Sequence, residues 1–262
     1  MSAIIQVEGL RKSFTRRGHT SLAIDRIDLA IEEGSFVTIA GPSGCGKSTM
    51  LSIVAGLETP TSGSVLYRGQ AVRGPRMDVG YLTQKDTLMP WRNIIHNVEM
   101  PLEIRGASSA ERRRRAETLI QLVGLKGFDR HYPRELSGGM LRRASLARML
   151  TADPETLLLD EPFGALDAQL RLELQNELLS LWSGSNKTVL FVTHDIEEAI
   201  VLGDRAIVLG VPGHIVCDVP ITLPRPRDAA TIRFTPEFAA IHQQLHAALR
   251  QGRAQSGGEA WT

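Results

Sequence analysis

Cysteine is nearly missing from this 262-residue chain: Cys45 and Cys217 are the only two. Two thiols cannot build a disulfide framework, and that scarcity points to a reducing compartment. Long apolar runs are missing too. None approaches the ~20 residues of a membrane-spanning helix, so a membrane role would have to come through a partner. The N-terminal "MSAIIQVEGLRKSF" lacks the apolar core of a secretory leader, and a cytoplasmic chain is the expectation. An excess of one charge is absent as well: 30 Lys plus Arg stand against 29 Asp plus Glu. A chain dominated by nucleic-acid binding usually carries a clear basic excess, so no nucleic-acid partner is expected. Repeats and long low-complexity segments are not found. The length is enough for a sizeable core and one or two domains.

What is present alternates between strand and helix patterns. "IIQVEGL", "IDLAI" and "SFVTIAG" read as short strands in the first forty residues, and "SFVTIAG" runs into a glycine loop and then the helical "KSTMLSIVAGL". "SVLYRG" and "DVGYLTQ" are further strand candidates. Residues 86–152 read mainly as helices. Ser108 and Glu111 fit a capping box before "AERRRRAETLIQLVGL", and Arg112–Arg115 reads as a solvated helix face rather than a nucleic-acid patch. Strands return with "ETLLLDEP" and "TVLFVTHD", separated by the amphipathic "AQLRLELQNELLSLW". Asp195 with Glu198 repeats the capping-box pattern. "RAIVLG" and "HIVCDV" look like closing strands. After "PRPR" comes a last helix, "PEFAAIHQQLHAALR", and a polar tail, "QGRAQSGGEA", that is expected to fray. The layout is α/β with a mostly parallel sheet, an N-terminal β part and an inserted helical block. Such sheets bind ligands beyond the carboxyl ends of their strands. Gly41–Thr49, Gln84, Asp160–Glu161 and His194 each end a predicted strand.

"GPSGCGKST" fits G-x-x-x-x-G-K-[ST] in the strand–loop–helix setting that gives the pattern its meaning. Gly41, Gly44 and Gly46, with Pro42, Ser43, Cys45 and Thr49 in the same loop, let backbone N–H groups wrap a polyphosphate. Lys47 can reach the outer phosphates and the Ser48 hydroxyl can bind Mg²⁺. A nucleoside triphosphate is the expected ligand. A thiol at Cys45, beside Lys47 and a helix N-terminus, could have a lowered pKa, although a small space-filling side chain is the plainer reading.

Asp160 and Glu161 follow Leu157–Leu159. Asp160 would hold Mg²⁺, and Glu161 could orient and polarise a water for attack on the γ-phosphate. His194 could steady that water, although a lone histidine is more often structural. The Gln84 carboxamide could reach Mg²⁺ or water, or simply be solvated. On composition, Phe14 is better read as core packing than as a base-stacking platform.

A second anion loop opens the helical pattern "ELSGGMLRRASLARML": Ser137, Gly138 and Gly139 sit where free N–H groups and the positive dipole end point outward. Taken in order, "GPSGCGKST", Gln84, "LSGGM", "LLLDEP", "GALD" and His194 resemble the nucleotide-binding subunit of an ATP-binding-cassette (ABC) transporter over nearly the whole chain. The resemblance implies a P-loop NTPase core at 1–85 and 153–221, a helical subdomain with the signature loop at 86–152, and a C-terminal extension at 222–262. It implies ATP and Mg²⁺ as ligands and a head-to-tail pair of identical chains. Ser137 and Gly139 would then contact the γ-phosphate held by the partner's Lys47. Asp167 would lie near the dimer seam and Phe14 would stack on adenine.

It also implies two membrane permease subunits, a solute-binding protein acting indirectly, and a peripheral position on the cytoplasmic face of the inner membrane. Leu88, Met89, Pro90 and Trp91 offer either a groove for a permease helix or core for the helical block. Met140 stands where the signature usually has Gln, and Gly164 where many relatives have Ser. "LSGGM", "DEPFGALDAQ" and "LPRPRD" look most like the importer branch for nitrate, sulfonates, taurine and similar small anions. A soluble ABC ATPase of DNA repair or translation usually carries long insertions or two cassettes, and this chain has neither. A non-hydrolysing regulator fits poorly with both Glu161 and His194 in place.

Overall fold

The computed structural model describes residues 3–254 apart from Asp86 and Ala165. The chain opens with a long antiparallel hairpin, β1 (Ala3–Arg16) and β2 (His19–Glu32), turned at Arg17–Gly18. Both strands run well past the short segments expected from pattern. Register shifts at Val7/Leu10 and at Lys12/Ser13 break the polar–apolar alternation, so the outer half of each strand carries no clean period-2 signal. β3 (Phe36–Ala40) follows and ends at the glycine loop, and α1 (Lys47–Val54) begins directly after it. β4 (Ser62–Tyr67), the two-residue β5 (Gln70–Ala71) and β6 (Val79–Leu82) complete the first half.

Three helices come next: α2 (Ile94–Ile104), α3 (Ser109–Leu122) and α4 (Gly138–Thr151). Ser108 caps α3, accepting from Glu111 N at 3.3 Å, but the Glu111 carboxylate does not return the bond that a full capping box would make. Arg112–Arg115 is more engaged than a plain solvated face. Arg113 pairs with Glu99 at 3.1 Å and Arg115 reaches Asp153 at 3.7 Å, tying α3 to α2 and to the segment leading into the next strand.

The second half contains β7 (Thr156–Asp160), α5 (Ala168–Trp182), β8 (Thr188–Thr193), α6 (Ile196–Leu202), β9 (Arg205–Gly210), β10 (Gly213–Pro220) and α7 (Pro236–Ala254). The sheet order is β5-β4-β1-β2-β10-β9-β3-β8-β7-β6. β9, β3, β8, β7 and β6 pair in parallel, while β5, β4, β1 and β2 pair antiparallel. Every residue of β3, β7 and β8 is buried, as strands covered on both faces require. Alternate side chains feed two cores. Phe36, Leu157, Leu159, Val189 and Phe191 face the cluster shared with α4 to α7. Val37, Ile39, Leu158, Leu190 and Val192 face α1 and the hairpin. Each such buried aliphatic or aromatic side chain contributes ~1.5–3 kcal/mol relative to exposure.

The C-terminal segment is an integral part of this packing. α7 runs through Gln251–Ala254, the first residues of the stretch expected to fray; residues 255–262 lie outside the described part. Phe238, Leu245 and Ala248 enter the core. Ahead of α7, the buried Arg227 donates to the carbonyls of Ile200 (3.1 Å), Val201 (3.3 Å) and Gly203 at the end of α6, and to Ile221 (3.2 Å) and Leu223 (3.0 Å). Burial pulls its guanidinium down to about 10, so it stays protonated at neutral pH. Replacing it with methionine strands several buried carbonyls. Arg227→Met is expected to lower unfolding stability by about 2–4 kcal/mol, read as a fall in the urea midpoint at unchanged slope.

Candidate functional site

The glycine loop closes tightly against β2. Gly44 and Gly46 take φ of +80° and +88°, and a Cβ on Gly46 would stand 2.6 Å from the Ala23 carbonyl. Glycine is therefore demanded both by backbone conformation and by space. Lys47, the first residue of α1, is buried, and its Nζ donates to the carbonyls of Gly41 (2.8 Å) and Pro42 (2.9 Å). The loop and its surroundings form a cleft of about 240 Å³, lined by Ala23, Ser43, Gly44, Gly46, Lys47, Ser48, Thr49, Gln84 and Glu161. An ammonium, a helix N-terminus and left-handed glycines in one concavity make an anion site.

Cys45 does not behave as an activated thiol. It is fully buried, its Sγ lies 2.6 Å from where a Gly41 Cβ would be, and burial pushes its pKa up more than Lys47, 3.9 Å away, draws it down. Its role here is to fill space under the loop. Desolvation outweighs the neighbouring charge, and pattern alone could not weigh the two.

Parallel pairing sets the ends of β6, β7 and β8 side by side, and the polar residues that follow them meet. Glu161, just past β7, takes φ of +46° while its N–H donates to the Val192 carbonyl at 2.9 Å. Its Oε2 lies 3.4 Å from Gln84 Nε2 and 3.3 Å from His194 Nδ1. This positive φ in a residue with a Cβ is held by the surrounding strands. Gly164 leaves room for a small side chain: a Cβ there would be in ordinary contact with Glu161 Oε2 (3.7 Å) and His194 Cε1 (3.8 Å).

Asp160 is only 2 % exposed, and its Oδ1 has no hydrogen-bond partner. Burial raises its carboxyl pKa, opposed first by a hydrogen bond from Ser48. A buried, half-satisfied carboxylate beside a hydroxyl and the phosphate cleft fits a hard divalent cation, which takes oxygen ligands and relieves the stranded charge.

Arg142 belongs to this site and is not singled out by any local motif. It is buried on α4, yet its guanidinium donates to the Asp160 carbonyl (2.7 Å), the Pro162 carbonyl (2.9 Å) and the Thr83 carbonyl, with Gln84 O at 3.5 Å. One signal existed. Arg142 occupies the same helical stripe as the buried Ser145, Leu146 and Met149, and a charge on a core-facing stripe needs buried partners.

Other candidates lie apart from the cleft. Ser137 caps α4, accepting from Met140 N at 3.3 Å; it, Gly138 and Gly139 do not line the phosphate cleft. Asp167 is exposed and caps α5, accepting from Leu170 N at 3.0 Å. Phe14 is exposed on β1, opposite Ser21, with Lys12 Nζ 4.7 Å above its ring, so it is not the core residue that composition favours. In the segment 88–91, Leu88 packs on the core and Met89 is half-buried and pinned through Asn97 Oδ1 (2.7 Å), but Trp91 is 72 % exposed.

The chain matches the ABC transporter family over residues 24–164. It is 50% identical to an uncharacterized ABC transporter ATP-binding protein of Methanocaldococcus jannaschii, over 89% of this chain and 88% of that one. It is 43% identical to an aliphatic sulfonates import ATP-binding protein of Bacillus subtilis, over 89% of each chain. A solved dimeric ATP-binding cassette, in a post-hydrolysis state with ADP and phosphate, superposes with a TM-score of 0.78 at 34% identity, covering 84% of this chain and 100% of that one.

Asp160 yields a prediction of opposite signs for stability and turnover. A carboxyl whose folded pKa lies above its unfolded value stabilises the fold at low pH, and that contribution is lost as pH rises through the folded value. The burden its burial places on the native state therefore grows as pH rises. Asp160→Asn is expected to raise the melting temperature by a few degrees while cutting ATP turnover at least ~100-fold. Differential scanning calorimetry and a phosphate-release assay check the two halves.

Proposed function

This chain belongs to the ABC transporter family, and from that premise we propose that it is the motor subunit of an importer for small anions. It binds and hydrolyses ATP. The observation that carries the fuller reading is the division of the site. The cleft that can hold phosphates is lined by Ser43, Gly44, Gly46, Lys47, Ser48, Thr49, Gln84 and Glu161, while the second anion loop, Ser137–Gly139, opens elsewhere on α4. Two copies arranged head to tail bring each cleft against the other's signature loop, and the dimeric state of the related solved cassette supports that arrangement. Phe14 then stacks on adenine, and Asp167 lies at the seam between the two sites.

Within one half-site, the loop N–H groups and Lys47 hold the phosphates. Glu161 takes the role of general base, orienting the attacking water and receiving its proton at Oε2. His194, on that same oxygen, steadies the water and the γ-phosphate, and Gln84 senses the γ-phosphate from the edge of the helical block. Mg²⁺ would be held by Ser48, Asp160 and Gln84 and would supply charge neutralisation of the phosphate oxygens.

Among the described residues no helix is long and apolar enough to cross a membrane. Attachment to the cytoplasmic face of the inner membrane therefore falls to two permease subunits, with a solute-binding protein acting on their far side. The exposed Trp91, beside the pinned Met89, is the docking point for a permease helix. The likeness to a sulfonate importer's ATP-binding protein favours an alkyl sulfonate, taurine or a similar anion as cargo.

Glu161→Gln is expected to lower turnover at least ~100-fold and to leave an ATP-stabilised dimer on size-exclusion chromatography. Normal hydrolysis by that variant would remove Glu161 from the role. Trp91→Asp in the full transporter is expected to cut sulfonate uptake at least ~10-fold while ATPase activity of the isolated chain stays within about twofold. Uptake at the wild-type rate refutes the docking assignment.

A further inference from the structure

Asp195 caps α6 by accepting from Glu197 N (2.9 Å) and Glu198 N (3.2 Å), but Glu198 does not return the bond as a capping box would. Its carboxylate turns inward. Glu198 is 5 % exposed; Oε2 accepts from the Thr193 hydroxyl and Oε1 accepts from Gln175 Nε2 at 3.0 Å. The Thr193 hydroxyl in turn accepts from Asp195 N at 3.0 Å. The residues on either side of His194 are thus joined through one hydroxyl, and that hydroxyl is anchored to Glu198. Gln175 fixes the carboxylate from α5 and is itself fully buried.

From this we infer that Glu198 is a positioning residue for hydrolysis: it locks the turn between β8 and α6 so that His194 Nδ1 meets Glu161 Oε2. His194 is a largely exposed side chain, so its direction is set by the backbone that carries it. A buried carboxylate is a poor choice for stability alone, because removing it from water costs more than a well-packed apolar side chain would. Burial accordingly raises its pKa. What the carboxylate adds is two acceptors at fixed positions facing two fixed donors.

The chemistry also says which substitution is tolerated. Gln175 Oε1 is buried without a partner. In Glu198→Gln the new amide can still accept from Thr193 through its oxygen. Its NH₂ then faces Gln175, whose amide can flip to offer the unpartnered oxygen. Glu198→Leu has no such escape.

The inference rests on reading Glu161 and His194 as the hydrolytic pair, and the experiment separates the two. It measures kcat and KM for ATP on the purified full chain. Glu198→Leu and Thr193→Val are each expected to lower kcat at least ~10-fold with KM within about twofold, and Glu198→Gln to keep at least about a third of wild-type kcat. His194→Ala should be slow, and the double variant Glu198→Leu with His194→Ala no slower than His194→Ala alone. Losses that multiply in the double variant, or wild-type kcat in both Glu198→Leu and Thr193→Val, overturn the positioning role while leaving His194 in place. Wild-type turnover in His194→Ala overturns both readings. If Glu198→Leu does not fold, Thr193→Val, nearly identical in shape, carries the same test, alone and with His194→Ala.

Discussion

The Arg142 guanidinium is the polar link that joins the helical block to the ends of the central sheet strands. Arg142 stands on α4, in the helical block, yet its donors are spent on carbonyls of Thr83, Asp160 and Pro162 beyond the ends of the sheet strands. A planar fork with five donors can satisfy several carbonyls at once, which an ammonium cannot do with the same rigidity. Those carbonyls belong to the backbone that presents Gln84, Asp160 and Glu161. The same helix begins at Ser137–Gly139. Anything that shifts α4 therefore acts on both the backbone that presents Asp160 and the Ser137–Gly139 loop, because short, directional bonds reinforce the apolar packing of α4 on the sheet.

Buried charge is the recurring cost of the site. Lys47 and Asp160 are both nearly excluded from water, and Asp160 keeps an unpartnered oxygen. Such groups are unfavourable for folding by themselves and are tolerated where a ligand completes them. The apolar sheet around them supplies the surplus. β3, β7 and β8 are buried along their entire length, and the strongly apolar strands end where the charged residues begin. Stability is concentrated in the strands, and strain at their ends, including the positive φ of Glu161.

How much of this was legible in the sequence depended on sequence separation. The phosphate loop could be read because its glycines, lysine and serine act within nine residues and between a strand and a helix that announce themselves. Asp160, Glu161, Gln84 and His194 could be placed at strand ends by the same local pattern. That Gln84 and His194 meet on one Glu161 oxygen depends on the order β6-β7-β8, which no local pattern encodes. Arg142 reaches carbonyls up to 59 residues away, and Glu198 meets Gln175 across 23. Glu198 even imitates a capping residue in sequence while its side chain points the other way. Cys45 was ambiguous because burial and a neighbouring cation push a thiol in opposite directions, and only packing decides between them.

The division of the site also constrains how hydrolysis can be turned into movement. A ligand shifts a two-state equilibrium only by the difference in its affinity for the two states. Phosphates held by the glycine loop and Lys47 alone make the same contacts whether a second copy is near or not, so however tightly they bind they move nothing. Only an oxygen that also touches the opposing Ser137–Gly139 distinguishes closed from open. In the proposed pair that atom is on the γ-phosphate, the group that hydrolysis removes. Moving such a pair from mostly open to mostly closed needs a differential of roughly 5.5 kcal/mol, shared between two sites. A few charge-assisted bonds per site, at ~1.5–3 kcal/mol each, reach that figure without any further device. In the proposed pair the second anion loop would thus be the element that makes nucleotide identity mechanically visible, and its separation from the first loop within one chain would be the condition for that coupling rather than a defect of the fold.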